Sequence, residues 1–206
     1  MKRAVVLLVL LAVMVSGVFA MDKTVGGGLL YNGAWTRFDD TYYKTEYTLS
    51  RTGLGAFGFF GISQYLELNF GILAKIPNKI TAKDPYYGTV TYTGDELGLD
   101  TTSALQLGIY GKYPIPLSDR LVIFPTGGVD FEFTIGTEAD EWGWAWWHDL
   151  WFRVGGGVDF FLTDRLFLRS HIIYGLGIPI GGPDWDDLDM KLSHGLLIKA
   201  GVGFMF

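Results

Sequence analysis

The sequence has three histidines, and two of them directly follow a serine, at Ser170-His171 and Ser193-His194. A serine hydrolase needs its hydroxyl within hydrogen-bond reach of the imidazole and a third group to orient that base. Both pairs lie in stretches that alternate polar and apolar residues, so the two members point to opposite faces of a strand and neither pair can make the contact. His148 lies in a polar connection near Glu141 and Asp149, with no serine beside it. Asp184, Asp186, Asp187 and Asp189 could offer carboxylate oxygens to calcium, but they lack the spacing and the glycine of a calcium loop and read as a solvated acidic loop. There is no cysteine, hence no disulfide framework, no thiolate metal site and no lipid-modified cysteine. These residues predict no catalytic set, no metal site and no cofactor.

A second chemical set is scattered singly through apolar sequence: Arg51, Glu67, Lys75, Lys112, Asp130, Glu132, Arg153, Asp159, Arg169, His171 and Lys199. The elements that must position them are strands. Three tight polar reversals, Ile62 to Leu66, Leu117 to Leu121 and Leu162 to Leu166, alternate with four long polar connections, Phe38 to Tyr47, Pro77 to Asp100, Gly136 to Asp149 and Pro179 to Lys191. The intervals predict strands over 24–37, 48–61, 66–76, 101–113, 121–135, 150–162, 166–178 and 192–206. Most are longer than strands of soluble sheets and match what a tilted strand needs to cross a bilayer. No segment after residue 20 supplies eighteen uninterrupted apolar residues, so helical spans are not expected.

In each of the last four expected strands one face is uncharged and rich in Leu, Ile, Val and Phe, while the other carries the charges and most of the glycines. Pairing about Gln64, Asp119 and Asp164 joins residues of like parity, so apolar meets apolar across all three hairpins. A secreted barrel with an apolar cavity would alternate equally well, but a narrow interior calls for glycine and a lipid face calls for bulky aliphatics. The expected fold is all-β, an eight-stranded antiparallel up-and-down transmembrane β-barrel with the charges in its lumen. Buried charges should then pair, and Asp159 and Arg169, each five residues from Asp164, should form a lumenal ion pair. The polar interior reads as a plug more readily than as a conduction path.

Residues 1–20 have the form of a cleaved secretory signal peptide: Lys2 and Arg3, an apolar run from Ala4 to Val15, and Val18-Phe19-Ala20 before Met21. The barrel domain would span 21–206, with net charge 14 − 22 = −8, which argues against a nucleic-acid partner.

The last strand, with Ile198, Ala200, Val202, Phe204 and Phe206 on one face and an aromatic end, resembles the insertion signal of outer-membrane barrels. That resemblance implies that Val202, Phe204 and Phe206 are read by the barrel-assembly machinery. The whole chain looks like the small barrels of the outer-membrane protein A and protein X type, which implies residence in the outer membrane of a diderm bacterium among its lipids. The likeness is architectural, not residue by residue.

The four long connections hold fifteen acidic and four basic residues, placing nearly all the net charge on the presumed outer surface. Trp142, Trp144, Trp146 and Trp147, with Trp185 in the last connection, form either part of an interfacial aromatic girdle or an exposed tip that binds a glycan, a lipid or a host surface. The first functional expectation is a structural or surface-interaction barrel, serving envelope integrity, adhesion or ligand contact. The second is a small-solute or hydrophobic-ligand channel, resembling eight-stranded proteins proposed to pass apolar compounds through a lateral gap, with room left by Gly155, Gly156 and Gly157. The third, resembling lipid A deacylases or acyltransferases, lacks a catalytic set.

Overall fold

The computed structural model describes residues 23–40, 42–98, 101–135, 148–180 and 188–206, with only the backbone of 188–191. Residues 1–20, expected from sequence to be a signal peptide, lie outside them. In chain order the elements are β1 (Thr24–Asp40), β2 (Glu46–Gly61), β3 (Leu66–Asp84), β4 (Gly88–Thr93), a single 3₁₀ turn (Asp95–Leu97), β5 (Thr102–Lys112), β6 (Ile115–Ser118), β7 (Leu121–Ile135), β8 (His148–Phe161), β9 (Leu166–Ile180) and β10 (Leu188–Met205). Eight of the strands form an antiparallel ring in the order β2, β1, β10, β9, β8, β7, β5, β3, closed by pairing of β3 with β2. β1 pairs with β10 from Thr24 opposite Met205, and Lys23 and Phe206 exchange backbone hydrogen bonds beyond it at 3.2 and 2.9 Å.

The register follows the three tight turns. Gly61 faces Glu67, Lys112 faces Thr126 and Asp159 faces Arg169, each symmetric about Gln64, Asp119 and Asp164 respectively. Period-two alternation therefore carries one face around the whole ring. Leu29, Ile72, Ile109, Val154 and Ile172 are each more than half exposed on the outside, while Glu67, Asp130, Arg153, Arg169 and Lys199 are buried inside. Large exposed aliphatics on every side are tolerable only against hydrocarbon, so this is the inverted surface of a transmembrane barrel.

The interior is narrow enough that two glycines have specific jobs. A Cβ on Gly157 would come within 2.5 Å of both the His171 and Phe124 rings, its partners on the two flanking strands. A Cβ on Gly28 would lie 2.1 Å from the Ala200 carbonyl oxygen, where β1 and β10 bend together at the seam.

Three features differ from the sequence expectation. Residues 77–100, read as one polar connection, contain the upper part of β3 and all of β4, a hairpin rising past the ring. His148 and Asp149, read as connection, are the first residues of β8. β1 and β10 also continue beyond their expected ends, pairing as far as Asp40 opposite Leu188. In each case the polar strand ends stand above the lipid, where strand residues no longer need an apolar face.

Candidate functional site

The lumenal side chains stack in three tiers along the barrel axis. In the tier nearest the long connections, Lys75 on β3 reaches Glu132 on β7 at 2.8 Å and Asp149 on β8 at 3.7 Å. Arg51 on β2 approaches Asp149 at 3.5 Å and donates to Thr36 at 3.0 Å. Lys75 also donates to Thr134 at 3.1 Å, and the Asn32 amide donates to Glu132 at 3.3 Å. Thr36 and Ser193 close this tier across the β1–β10 seam at 2.8 Å.

The middle tier gathers on Asp130. Its Oδ2 accepts from Arg153 Nε at 3.0 Å, from the Gln106 amide at 3.2 Å and from the Tyr110 hydroxyl. The Arg153 guanidinium lies over the Trp151 ring, 4.3 Å from its centroid. Trp151 is itself fully buried, packed where Gly175, Gly177 and Gly195 carry no side chain. An indole of that size leaves little free cross-section.

In the tier nearest the tight turns, Arg169 makes a two-pronged pair with Asp159, Nε and Nη2 each 2.6 Å from a carboxylate oxygen, and donates Nη1 to Glu67. Such fork geometry is available to arginine and not to lysine. Glu67 also accepts from Lys112 at 3.0 Å and from Asn69 at 2.9 Å, and Asn69 in turn accepts from Lys199 at 2.9 Å. Lys199 lies beside the Tyr110 and Phe57 rings, at 5.0 and 5.4 Å. His171 is buried edge-on to Phe124 at 5.2 Å, and neither ring nitrogen has a hydrogen-bond partner. A cavity of about 350 Å³ opens at the turn end and stops on Lys112, Asp159 and Arg169.

All the charged residues expected in the lumen from sequence are thus inside, joined by contacts between strands distant in sequence. Sequence reading missed Asp149, Trp151, Tyr110 and the neutral linkers Asn32, Asn69 and Gln106. Their parity was available: Asp149, Trp151 and Arg153 share a face, as do Gln106, Tyr110 and Lys112. The neutral residues carry no charge to mark them, and Asp149 stands one residue before the expected start of its strand at 150.

The serine–histidine neighbours lie as alternation requires. Ser193 is buried in the lumen while His194 faces outward and bonds the Tyr174 hydroxyl through Nδ1 at 2.5 Å. His148 sits beside Phe131 and Phe133 and accepts from the Thr134 backbone N–H at 3.3 Å. Trp142, Trp144, Trp146, Trp147 and Trp185 lie outside the described residues, as do the side chains of the acidic run from Asp184 to Asp189. Val202, Phe204 and Phe206 face outward and are exposed. On the rim, the Asp84 carboxylate is held below the ordinary aspartate range by backbone N–H bonds from Tyr87 and Tyr86.

No protein-family model and no curated protein sequence matches the chain. Among solved structures it is similar to the outer membrane protein OprG from Pseudomonas aeruginosa, at 13% identity over 91% of this chain and 96% of that one, with a TM-score of 0.49. It is also similar to the outer membrane protein AlkL in lipid bilayers, at 11% identity over 90% of each chain and a TM-score of 0.49. The N-terminal β-barrel domain of Pseudomonas aeruginosa OprF gives 12% identity over 89% of this chain and 97% of that one, with a TM-score of 0.35. With its ring closed, its aliphatics turned outward and its ion pairs held inside, the chain folds as a small, eight-stranded transmembrane β-barrel.

Proposed function

We propose that the protein is a rigid, non-enzymatic anchor that acts through its outer rim, in envelope integrity, adhesion or ligand contact, rather than a passage across the membrane. The observation that supports this most is the filled lumen. Ion pairs cross the lumen between opposite strands in two tiers, Arg51 to Asp149 and Arg169 to Glu67, and between them lie the neighbouring-strand pair of Arg153 with Asp130 and the buried Trp151, in a ring of eight strands that has room for side chains and little more. A solute would have to break several buried ion pairs to pass, each costly to separate. The chemistry left to meet a partner is then in the long connections, to which Trp142, Trp144, Trp146, Trp147 and Trp185 belong in sequence and which we assign to contact.

Planar-bilayer recording of the purified barrel tests the reading directly. The expected result is an absence of any stable large-conductance state at modest voltage; a sustained open state would overturn it in favour of solute passage. Alanine at the five tryptophans should leave the barrel folded and remove its binding to cells or envelope surfaces.

A further inference from the structure

Two turns on the outer rim share the pattern Asp-x-Tyr-Tyr-x-Thr and the same aspartate-to-backbone hydrogen bonds. Asp40-Thr41-Tyr42-Tyr43-Lys44-Thr45 joins β1 to β2, and Asp84-Pro85-Tyr86-Tyr87-Gly88-Thr89 joins β3 to β4. In the first, Asp40 Oδ1 accepts the backbone N–H of Tyr42 and of Tyr43, each at 2.8 Å. In the second, Asp84 Oδ1 accepts those of Tyr86 and Tyr87, at 2.7 and 2.8 Å. The residue after each tyrosine pair turns back through positive φ, 57° at Lys44 and 85° at Gly88. Thr45 Oγ1 donates to Asp84 Oδ2 at 3.1 Å, tying one turn to the other. Because β2 and β3 are neighbours, the two hairpins stand about two strand spacings, ~10 Å, apart.

The turn chemistry explains the aspartate and the left-handed residue, but it makes no demand on the two side chains between them. Both copies nevertheless carry Tyr-Tyr, and Tyr42, Tyr43, Tyr86 and Tyr87 are 75, 66, 88 and 88% exposed. They are not part of an interfacial girdle. On the outside of the same strands, the row Thr48, Thr81 and Thr91, with Lys79 below it, separates them from the lipid-facing Trp35, Leu54 and Ile76. β3 runs from Lys79 to Asp84 before the second turn, about 17 Å along the strand. Four large rings held out on rigid turns are a contact surface in wait of a partner.

We propose that this pair of tyrosine turns is a carbohydrate-binding surface, with a neutral polysaccharide as its ligand class. The inference rests on the surface-contact reading above and names a ligand for it. Tyrosine offers an apolar face to the C–H face of a sugar ring and a hydroxyl to its edge, and on a fixed turn it loses little freedom in binding. The separation of the two turns suits linked sugars, one ring pair meeting each end of a short run. Charge selects the neutral class. Asp40 and Asp84 are occupied by their own backbones, and around the two turns Arg37, Lys44, Lys79 and Lys83 balance Asp39, Asp40, Glu46 and Asp84, so no net charge draws an ionic polymer.

The test is affinity electrophoresis of the whole folded barrel in detergent, through gels cast with dextran, galactomannan or a starch-type glucan, and with an anionic polysaccharide for contrast. Retardation by at least one neutral polymer is expected. Tyr42→Ala with Tyr43→Ala, or Tyr86→Ala with Tyr87→Ala, should each weaken binding about tenfold, and the quadruple variant should run as in a plain gel. Strand circular dichroism and a heat-shifted mobility establish that each variant is folded, and phenylalanine at all four positions should retain most of the retardation. Equal mobility of the wild type and the quadruple variant in every neutral polymer overturns the proposal, and so does retardation by the anionic polymer alone. A wild-type dimer that dissociates in the quadruple variant, without retardation, overturns it by assigning the turns to a second copy. If no neutral polymer retards the wild type while it still binds cell surfaces through the tryptophan segment, the surface-contact reading stands and the carbohydrate assignment falls.

Discussion

Glu67 carries the lowest tier of the lumen, since Arg169, Lys112 and Asn69 all donate to it. Removing its charge leaves Lys112 without its carboxylate and Arg169 with Asp159 alone, and breaking a buried pair from one side costs about 3–5 kcal/mol. Glu67→Gln should therefore lower the free energy of unfolding from lipid vesicles by an amount in that range, measured by urea titration followed by tryptophan emission. Asp84 gives a pH-dependent prediction at the rim. Its folded pKa is depressed by the Tyr87 and Tyr86 amides, so the turn's extra stability is present above the ordinary aspartate range and is lost as pH falls through the lower, folded value. The amide resonances of Tyr86 and Tyr87 should titrate together with a midpoint below the ordinary 3.8, and in Asp84→Asn that titration should vanish. The charged lumenal residues were legible in the sequence because a lone charge in an alternating apolar run has only one face to occupy. Asp149 was not, because the tryptophans before it blur the strand's start, and buried amides such as Asn32 and Gln106 carry no sign by which to be noticed.

At the scale of the element, the alternation of tight and long connections was enough to place the eight barrel strands, because a register error of one residue would have turned an entire face over. β4 escaped notice since its sequence, Gly-Thr-Val-Thr-Tyr-Thr, stands above the lipid and has no apolar stripe to reveal it. Its clue was the turn chemistry of Asp84-Pro85-Tyr86-Tyr87-Gly88, which marks a hairpin whatever the hydropathy of its arms. Strand seams yield a sharp contrast in tolerance. Gly28→Val would press a side chain into the Ala200 carbonyl, whereas at Gly111 the nearest neighbour of an added Cβ is 3.7 Å away. Gly28→Val should abolish the compact, heat-modifiable band on gels, and Gly111→Ala should leave it unchanged.

For the whole molecule, the exposed Phe206 ring and its strand give a prediction about biogenesis rather than stability. Deleting Phe206 removes only one rung of the β1–β10 seam, the exchange with Lys23. Refolding of the purified chain into vesicles should be nearly unaffected, while the amount reaching the membrane of expressing cells should fall severalfold if the terminal strand is what the assembly machinery reads. A normal membrane yield would remove Phe206 from that role. The seam itself has a further consequence for how the chain is made. Because Lys23 bonds to Phe206, the largest loop in the topology spans the entire barrel domain, and its closure is possible only after the last residue has been synthesised. Until that seam forms every copy is an open chain with its aliphatic face unburied, and in that interval the ring's own stability cannot protect it from aggregation.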